Sequence, residues 1–266
     1  MVEDDKKTKF MTSRCVDDVV GNYPELKGVI SALNEVFQGK SGIASVLLRG
    51  SLATNQYIPG KSDIDLSIIL DKYDFKKIRS TNLSIKNISA TNKIPISVTY
   101  TDVPELSRDM ELGMHFHGSK NSNYNLEIGK CSVTLYGTDM REYFLACQSV
   151  NLERIYFDLS KNITDFINRS TSDLFEAYKK GINYAFIGAK QILMYKGIFE
   201  VDKSAIVEHM KSITPELGST LEEAYADSKR IHSIMVDEEK SDRMFRLLTY
   251  YKGYIGKELR RDEKYD

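Results

Sequence analysis

Two aspartates one residue apart, Asp63-Ile64-Asp65, stand at the head of the apolar run Leu66-Ser67-Ile68-Ile69-Leu70. On an extended strand, residues i and i+2 point to the same face, so both carboxylates face one way. Side by side they repel and raise a pKa, unless a cation sits between them. A hard divalent ion such as Mg²⁺, which takes oxygen ligands, is the natural occupant. Ile64, Leu66, Ile68 and Ile69 would anchor the strand in a core and hold the carboxylates on a rigid element. Upstream lies Leu48-Arg49-Gly50-Ser51, and eleven residues separate Ser51 from Asp63. Glycine lets the backbone approach a phosphate closely, free N–H groups at a helix start favour an anion, and the serine hydroxyl adds a donor. Alone, Asp-x-Asp is usually a solvated strand end and Gly-Ser a turn. Together they can bring a triphosphate, a metal and an acceptor hydroxyl into line, and such positioning supplies most of the catalysis in phosphoryl-group chemistry.

The elements that must position these residues are legible in outline. Apolar residues at Leu26, Val29, Ile30, Leu33, Val36 and Phe37 have the helical period. Residues 43–48 and 63–70 read as strands, as do 94–100 and 132–136. Pro95 is tolerable near the start of a strand. From Val150 onward the periodicity is helical, with segments near 150–168, 172–196, 203–211, 217–234 and 240–261. The expected fold is therefore an α/β domain with a mixed sheet over residues 1–148, then an all-α helical bundle over 149–266.

The bulk numbers exclude several classes. The 266 residues carry a net charge of -1, so composition gives no support to generic nucleic-acid binding. Three cysteines without close pairing argue against a disulfide framework and fit a cytoplasmic setting. The charged start, Met-Val-Glu-Asp-Asp-Lys-Lys, lacks the apolar stretch of a signal peptide, and no run of about 18 apolar residues occurs, so no membrane partner is expected. His115-Phe116-His117 has the spacing of a metal pair but no third ligand nearby.

Leu48–Ser51 with Ser62–Leu66 resembles the signature of polymerase β-like nucleotidyltransferases: apolar-Gly-Ser, spacer, Asp-x-Asp. More narrowly, the chain looks like the streptomycin/spectinomycin adenylyltransferase family from about residue 40 to 257. Arg108-Asp109-Met110-Glu111-Leu112-Gly113 is similar to that family's segment after the third strand, and Leu135-Tyr136-Gly137-Thr138-Asp139 to the close of its catalytic domain. Lys190 and Lys203 stand thirteen apart, like an Arg and a Lys that reach ATP in the family. Tyr250-Tyr251-Lys252-Gly253-Tyr254-Ile255 resembles a segment whose Tyr lines the ATP site. The resemblance implies ATP as substrate with Mg²⁺ on Asp63 and Asp65. It also implies nucleotide contacts from Gly50, Ser51, Ser62, Lys190, Lys203 and Tyr250, in a cleft between the two domains. The acceptor it implies is a small molecule, of the aminoglycoside antibiotic type in the family.

Two departures qualify this. The family's third strand carries a glutamate that deprotonates the acceptor hydroxyl. An ungapped placement puts Pro95 there, with Ser97 and Thr99 as neighbours, all poor bases. The nearest candidate carboxylates are Asp102, just past the strand, and Glu111 or Glu127 further on, and Asp102 is taken as the expected base. On the acceptor side, Glu176 keeps the family's negative charge while Lys180 reverses it, and no Trp is present for stacking. Tyr178 and Tyr184 could substitute in part. The expected activity is transfer of AMP, or another NMP, from an NTP to a hydroxyl of a small molecule. Two alternatives stand beside it. One is a non-catalytic nucleotide-binding relative. The other is a nucleotidyltransferase acting on RNA or protein, for which Lys179, Lys180, Lys190 and Lys196 would form a basic stripe.

Overall fold

A computed structural model describes residues 15–111, 122–145 and 152–262. The chain divides into two compact units, Met1–Ser149 and Val150–Asp266.

The first unit is built on four strands: β1 (Ile43–Arg49), β2 (Ile64–Leu70), β3 (Ile96–Asp102) and β4 (Val133–Gly137). They lie in the order β3-β2-β1-β4. β1 runs antiparallel to both β2 and β4, and β2 runs parallel to β3. The sheet is therefore mixed, as expected. A parallel pair needs a crossover, and α4 (Phe75–Asn92) supplies it. Asp74 caps that helix by accepting from the Lys77 N–H. The remaining described helices of this unit are α1 (Val16–Asn22), α2 (Lys27–Gln38), the single turn α3 (Gly50–Ala53), α5 (Val103–Glu111), α6 (Ser122–Cys131) and α7 (Arg141–Leu145).

Strand alternation sorts the β2 side chains. Ile64, Leu66, Ile68 and Leu70 join the larger core with Leu33 and Phe37 of α2 and Ile85 of α4. Asp63, Asp65, Ser67 and Ile69 fall on the other face, where Ile69 meets Leu47, Leu106, Ile128 and Phe144. The second core is small, and the aspartates lie beyond its edge. β3 begins two residues later than the sequence suggests. Pro95 has no N–H for the ladder, although its carbonyl accepts from the Ile64 N–H at 2.9 Å.

The second unit contains α8 (Leu152–Ser170), α9 (Leu174–Tyr195), α10 (Lys203–Ile213), α11 (Pro215–Lys229) and α12 (Glu238–Asp262). α9 runs through its middle and buries Ala177, Tyr178, Ile182, Ala185, Phe186 and Ala189. Gly188 explains how closely α12 approaches α9, since a Cβ there would stand 2.6 Å from the Tyr251 ring. Asp173 and Asp202 cap α9 and α10 through the N–H groups of Glu176 and Ala205.

Candidate active site

The antiparallel register places Arg49, the last residue of β1, opposite Asp65 of β2. Their side chains form an ion pair, with Arg49 Nη1 3.1 Å from Asp65 Oδ1. Both are largely shielded, at 12% and 19% exposure. Asp63 sits just ahead of β2 and accepts a hydrogen bond from Ser97 Oγ at 2.7 Å. The parallel register sets Ser97 beside Asp65. A polar row continues along β3, where Thr99 Oγ1 lies 3.1 Å from Ser67 Oγ.

Gly50 turns the chain directly against this pair. Its φ is +68°, a conformation that L side chains rarely adopt. A Cβ there would stand 2.3 Å from Asp65 Oδ2. Glycine is thus required twice, by backbone angle and by the carboxylate it faces. Ser51 follows in α3, but that helix is one turn long, so its dipole gives little to an anion. Gly50-Ser51 does open a helix, as expected, though one of a single turn. Ser62 Oγ accepts the Ile58 N–H at 3.0 Å and closes the turn before Asp63.

Burial pushes the Asp65 carboxyl up to about 6; Arg49 opposes this, while Asp63 and Glu127 add to it. Asp65 is thus a shielded carboxylate with one guanidinium and two further carboxylates acting on it. That is the electrostatic demand a divalent cation meets. The donor set fits Mg²⁺: two hard carboxylates, one on β2 and one just ahead of it, with an adjacent corner kept clear of side chain. Asp63 and Asp65 would hold the ion. Once bound, it would neutralise phosphate charge. Among the described residues no group of three or more His, Cys, Asp or Glu could enclose a metal. Two protein ligands with phosphate and water oxygens is the usual Mg²⁺ arrangement.

Asp102 is not brought to this place. It pairs with Leu70, at the far end of β2 from Asp65. Five residues of strand separate it from Ser97, a span of about 17 Å. Both its oxygens are engaged, Oδ1 with the Glu105 N–H and Oδ2 with the Tyr73 N–H. It caps α5 and fixes the loop after β2. The carboxylate whose charge does bear on Asp65 is Glu127 of α6, which packs against α3 and β1. Glu127 was among the candidates in the sequence, but with 62 positions between it and Asp65 nothing local favoured it over Asp102. Arg49 was visible beside Gly50-Ser51, but its partner emerges only from the strand register. The side chain of Glu111 and the pair His115 and His117 lie outside the described residues.

In the second unit, Lys203 opens α10 with its ammonium 5.2 Å from the centre of the Phe186 ring. Lys190 is one helical turn beyond Phe186 on the same face of α9, and Tyr250 is exposed on α12. Lys179 pairs with Glu176 at 3.1 Å. The ammonium of Lys196 lies 5.5 Å from the centres of the Tyr195 and Tyr254 rings. Helical spacing spreads Lys179, Lys180, Lys190 and Lys196 around α9 and its end, so they make no single stripe. Tyr178 cannot serve as a stacking surface either. It is buried in the bundle and donates to Asp227 at 2.9 Å, and Tyr184 donates to Asp165.

The model of the nucleotidyltransferase domain family matches residues 30–108, which span β1, the Gly50-Ser51 corner, the aspartate pair and β3. Residues 30–108 form a nucleotidyltransferase domain. This agrees with the polymerase β-like signature read from the same residues. The whole chain is similar in fold to the spectinomycin adenyltransferase AAD(9) from Enterococcus faecialis, solved with ATP and spectinomycin. Identity is 11%, 89% of this chain and 98% of that chain are covered, and the TM-score is 0.52. A nucleotidyltransferase-like protein from Exiguobacterium sibiricum is similar over 87% of this chain and 74% of its own, at 11% identity and a TM-score of 0.35. No curated protein matches the chain. The nucleotidyltransferase domain is followed by a helical unit, and among the described residues no helix is long and apolar enough to cross a membrane.

Proposed function

We propose that this protein transfers a nucleoside monophosphate, AMP in the first instance, from an NTP to a hydroxyl of a small molecule. One observation carries the reading: Asp63 and Asp65 share a strand face against the side-chain-free corner at Gly50. In the reaction the acceptor oxygen bonds to the α-phosphorus and the bond from that phosphorus to the bridging oxygen breaks. Pyrophosphate leaves with the bond's electron pair, and the acceptor proton passes to a base. Asp63 and Asp65 would hold Mg²⁺, whose charge would offset that of the triphosphate. Gly50 and Ser51 offer N–H and hydroxyl donors to the phosphates. Glu127 takes the part expected of Asp102 and draws the acceptor proton, since its charge already reaches Asp65. Lys190, Lys203 and Tyr250 contribute to the nucleotide, a reading supported by their resemblance to the adenylyltransferase pattern. That AAD(9) was solved with ATP and spectinomycin supports an NTP and a small hydroxylated acceptor here. Lys180 on α9 argues for an acceptor less cationic than an aminoglycoside.

The test is Mg²⁺-dependent pyrophosphate release across a panel of hydroxylated small molecules. With the correct acceptor, Asp65→Asn is expected to lower kcat by about 100-fold or more, the scale of losing charge stabilisation at the reacting phosphate. Glu127→Gln should lower kcat with little change in KM for ATP. Unchanged turnover in Asp65→Asn would sink the proposal. A second reading, nucleotide binding without turnover, has one observation in its favour. The β3 position beside the pair is Ser97, already hydrogen-bonded to Asp63. It predicts saturable ATP binding and no pyrophosphate with any acceptor.

A further inference from the structure

We propose that Arg49 is a two-state residue that holds Asp65 in the nucleotide-free protein and turns to the triphosphate when the metal–nucleotide binds. This rests on the reading of Asp63 and Asp65 as metal ligands. Four facts carry it. Arg49 closes β1 immediately before Gly50-Ser51, so its guanidinium starts at the corner assigned to phosphate. Its present partner is Asp65, at 3.1 Å, a residue that would also hold the metal. The two are directly opposed across an antiparallel pair, so the contact is set by register and not by a flexible loop. Both are shielded, so leaving either charge unpaired is unfavourable.

A carboxylate that gives its charge to a dication has less to give to a guanidinium. Arg49 then needs a new anion, and the triphosphate arrives with the metal. Guanidinium is suited to it, since its planar fork binds phosphate through two parallel hydrogen bonds. The one-turn α3 supplies little dipole, so a side-chain cation is the main positive charge the corner can offer. In the nucleotide-free state the same contact neutralises Asp65 and lessens repulsion among Asp63, Asp65 and Glu127. Arg49 thereby competes with metal alone and cooperates with metal–nucleotide.

The two roles predict opposite signs in binding measurements that need no acceptor. The probes are Mn²⁺ alone, followed by electron paramagnetic resonance, and α,β-methylene-ATP at saturating Mn²⁺, followed by calorimetry. Arg49→Gln should bind Mn²⁺ alone about fivefold more tightly, because a competing charge is gone. It should bind the nucleotide about tenfold or more weakly, because a charged hydrogen-bond donor is gone. Arg49→Lys, which keeps the charge but not the fork, should hold Mn²⁺ as the native protein does and still weaken nucleotide. It serves if the Gln variant folds poorly. Weaker Mn²⁺ binding in Arg49→Gln would mean that Arg49 only orients Asp65, and unchanged nucleotide affinity would mean it never reaches phosphate. Either result overturns the proposal. Asp65→Asn is measured alongside: if it binds Mn²⁺ as well as the native chain, the fault lies in the metal assignment and not in the switching of Arg49.

Discussion

The proposed chemistry turns on a few atoms around Asp65. Its carboxyl meets Arg49, the field of Asp63 and Glu127, and the bare Cα of Gly50. Gly50 is the most constrained of these. Alanine there would have to hold φ at +68° and would push its Cβ to 2.3 Å from Asp65 Oδ2. The backbone strain alone costs about 1–2 kcal/mol. The clash also displaces the carboxylate. Gly50→Ala is therefore expected to lower the unfolding midpoint in urea and to weaken Mn²⁺ binding together. A loss of stability with Mn²⁺ affinity intact would show that the corner does not shape the metal site.

The elements explain why one acid is proposed for the site and another caps a helix. β2 and β3 run parallel, so Ser97 lies level with Asp65 and Asp102 with Leu70. Asp102 thus belongs to the opposite end of the sheet, where it caps α5 and holds the Tyr73 N–H. Asp102→Ala should destabilise the protein by about 1–2 kcal/mol, the scale of a lost cap, and leave nucleotide and Mn²⁺ affinity within twofold of native. Strong loss of binding with stability intact would restore Asp102 to the site. The same elements mark the reach of the sequence. β1 was legible as a short apolar run, β2 as alternation passing into such a run, and α2 and the long helices of the second unit by their 3.6-residue period. α4 escaped because only Thr81 and Ile85 of its 18 residues are buried, which leaves little amphipathic signal. The aspartate pair and the Gly-Ser corner were visible as local spacing. Arg49 and Glu127 could be named as residues, but their relation to Asp65 could not be read, because it depends on strand register and on the packing of α6, and neither leaves a local pattern.

At the scale of the molecule, a nucleotidyltransferase domain is joined to a helical unit with its own core. That second core is pinned by an ionic hub. Asp227 accepts from Tyr178 and Lys240 and pairs with Arg230, so a tyrosine suggested for the acceptor is committed to packing instead. A net charge of -1 and lysines spread around α9 give no support to a polyanionic acceptor, in keeping with the small hydroxylated acceptor proposed above. The account rests on the metal pair, and crystals of the native chain grown with α,β-methylene-ATP and Mn²⁺ test it most directly through the anomalous signal of manganese. The account predicts a peak bonded to carboxylate oxygens of both Asp63 and Asp65 and to phosphate oxygens, with the guanidinium of Arg49 turned from Asp65 to phosphate. A peak elsewhere, or a bound nucleotide with the Asp63 and Asp65 carboxylates free of metal, would contradict it.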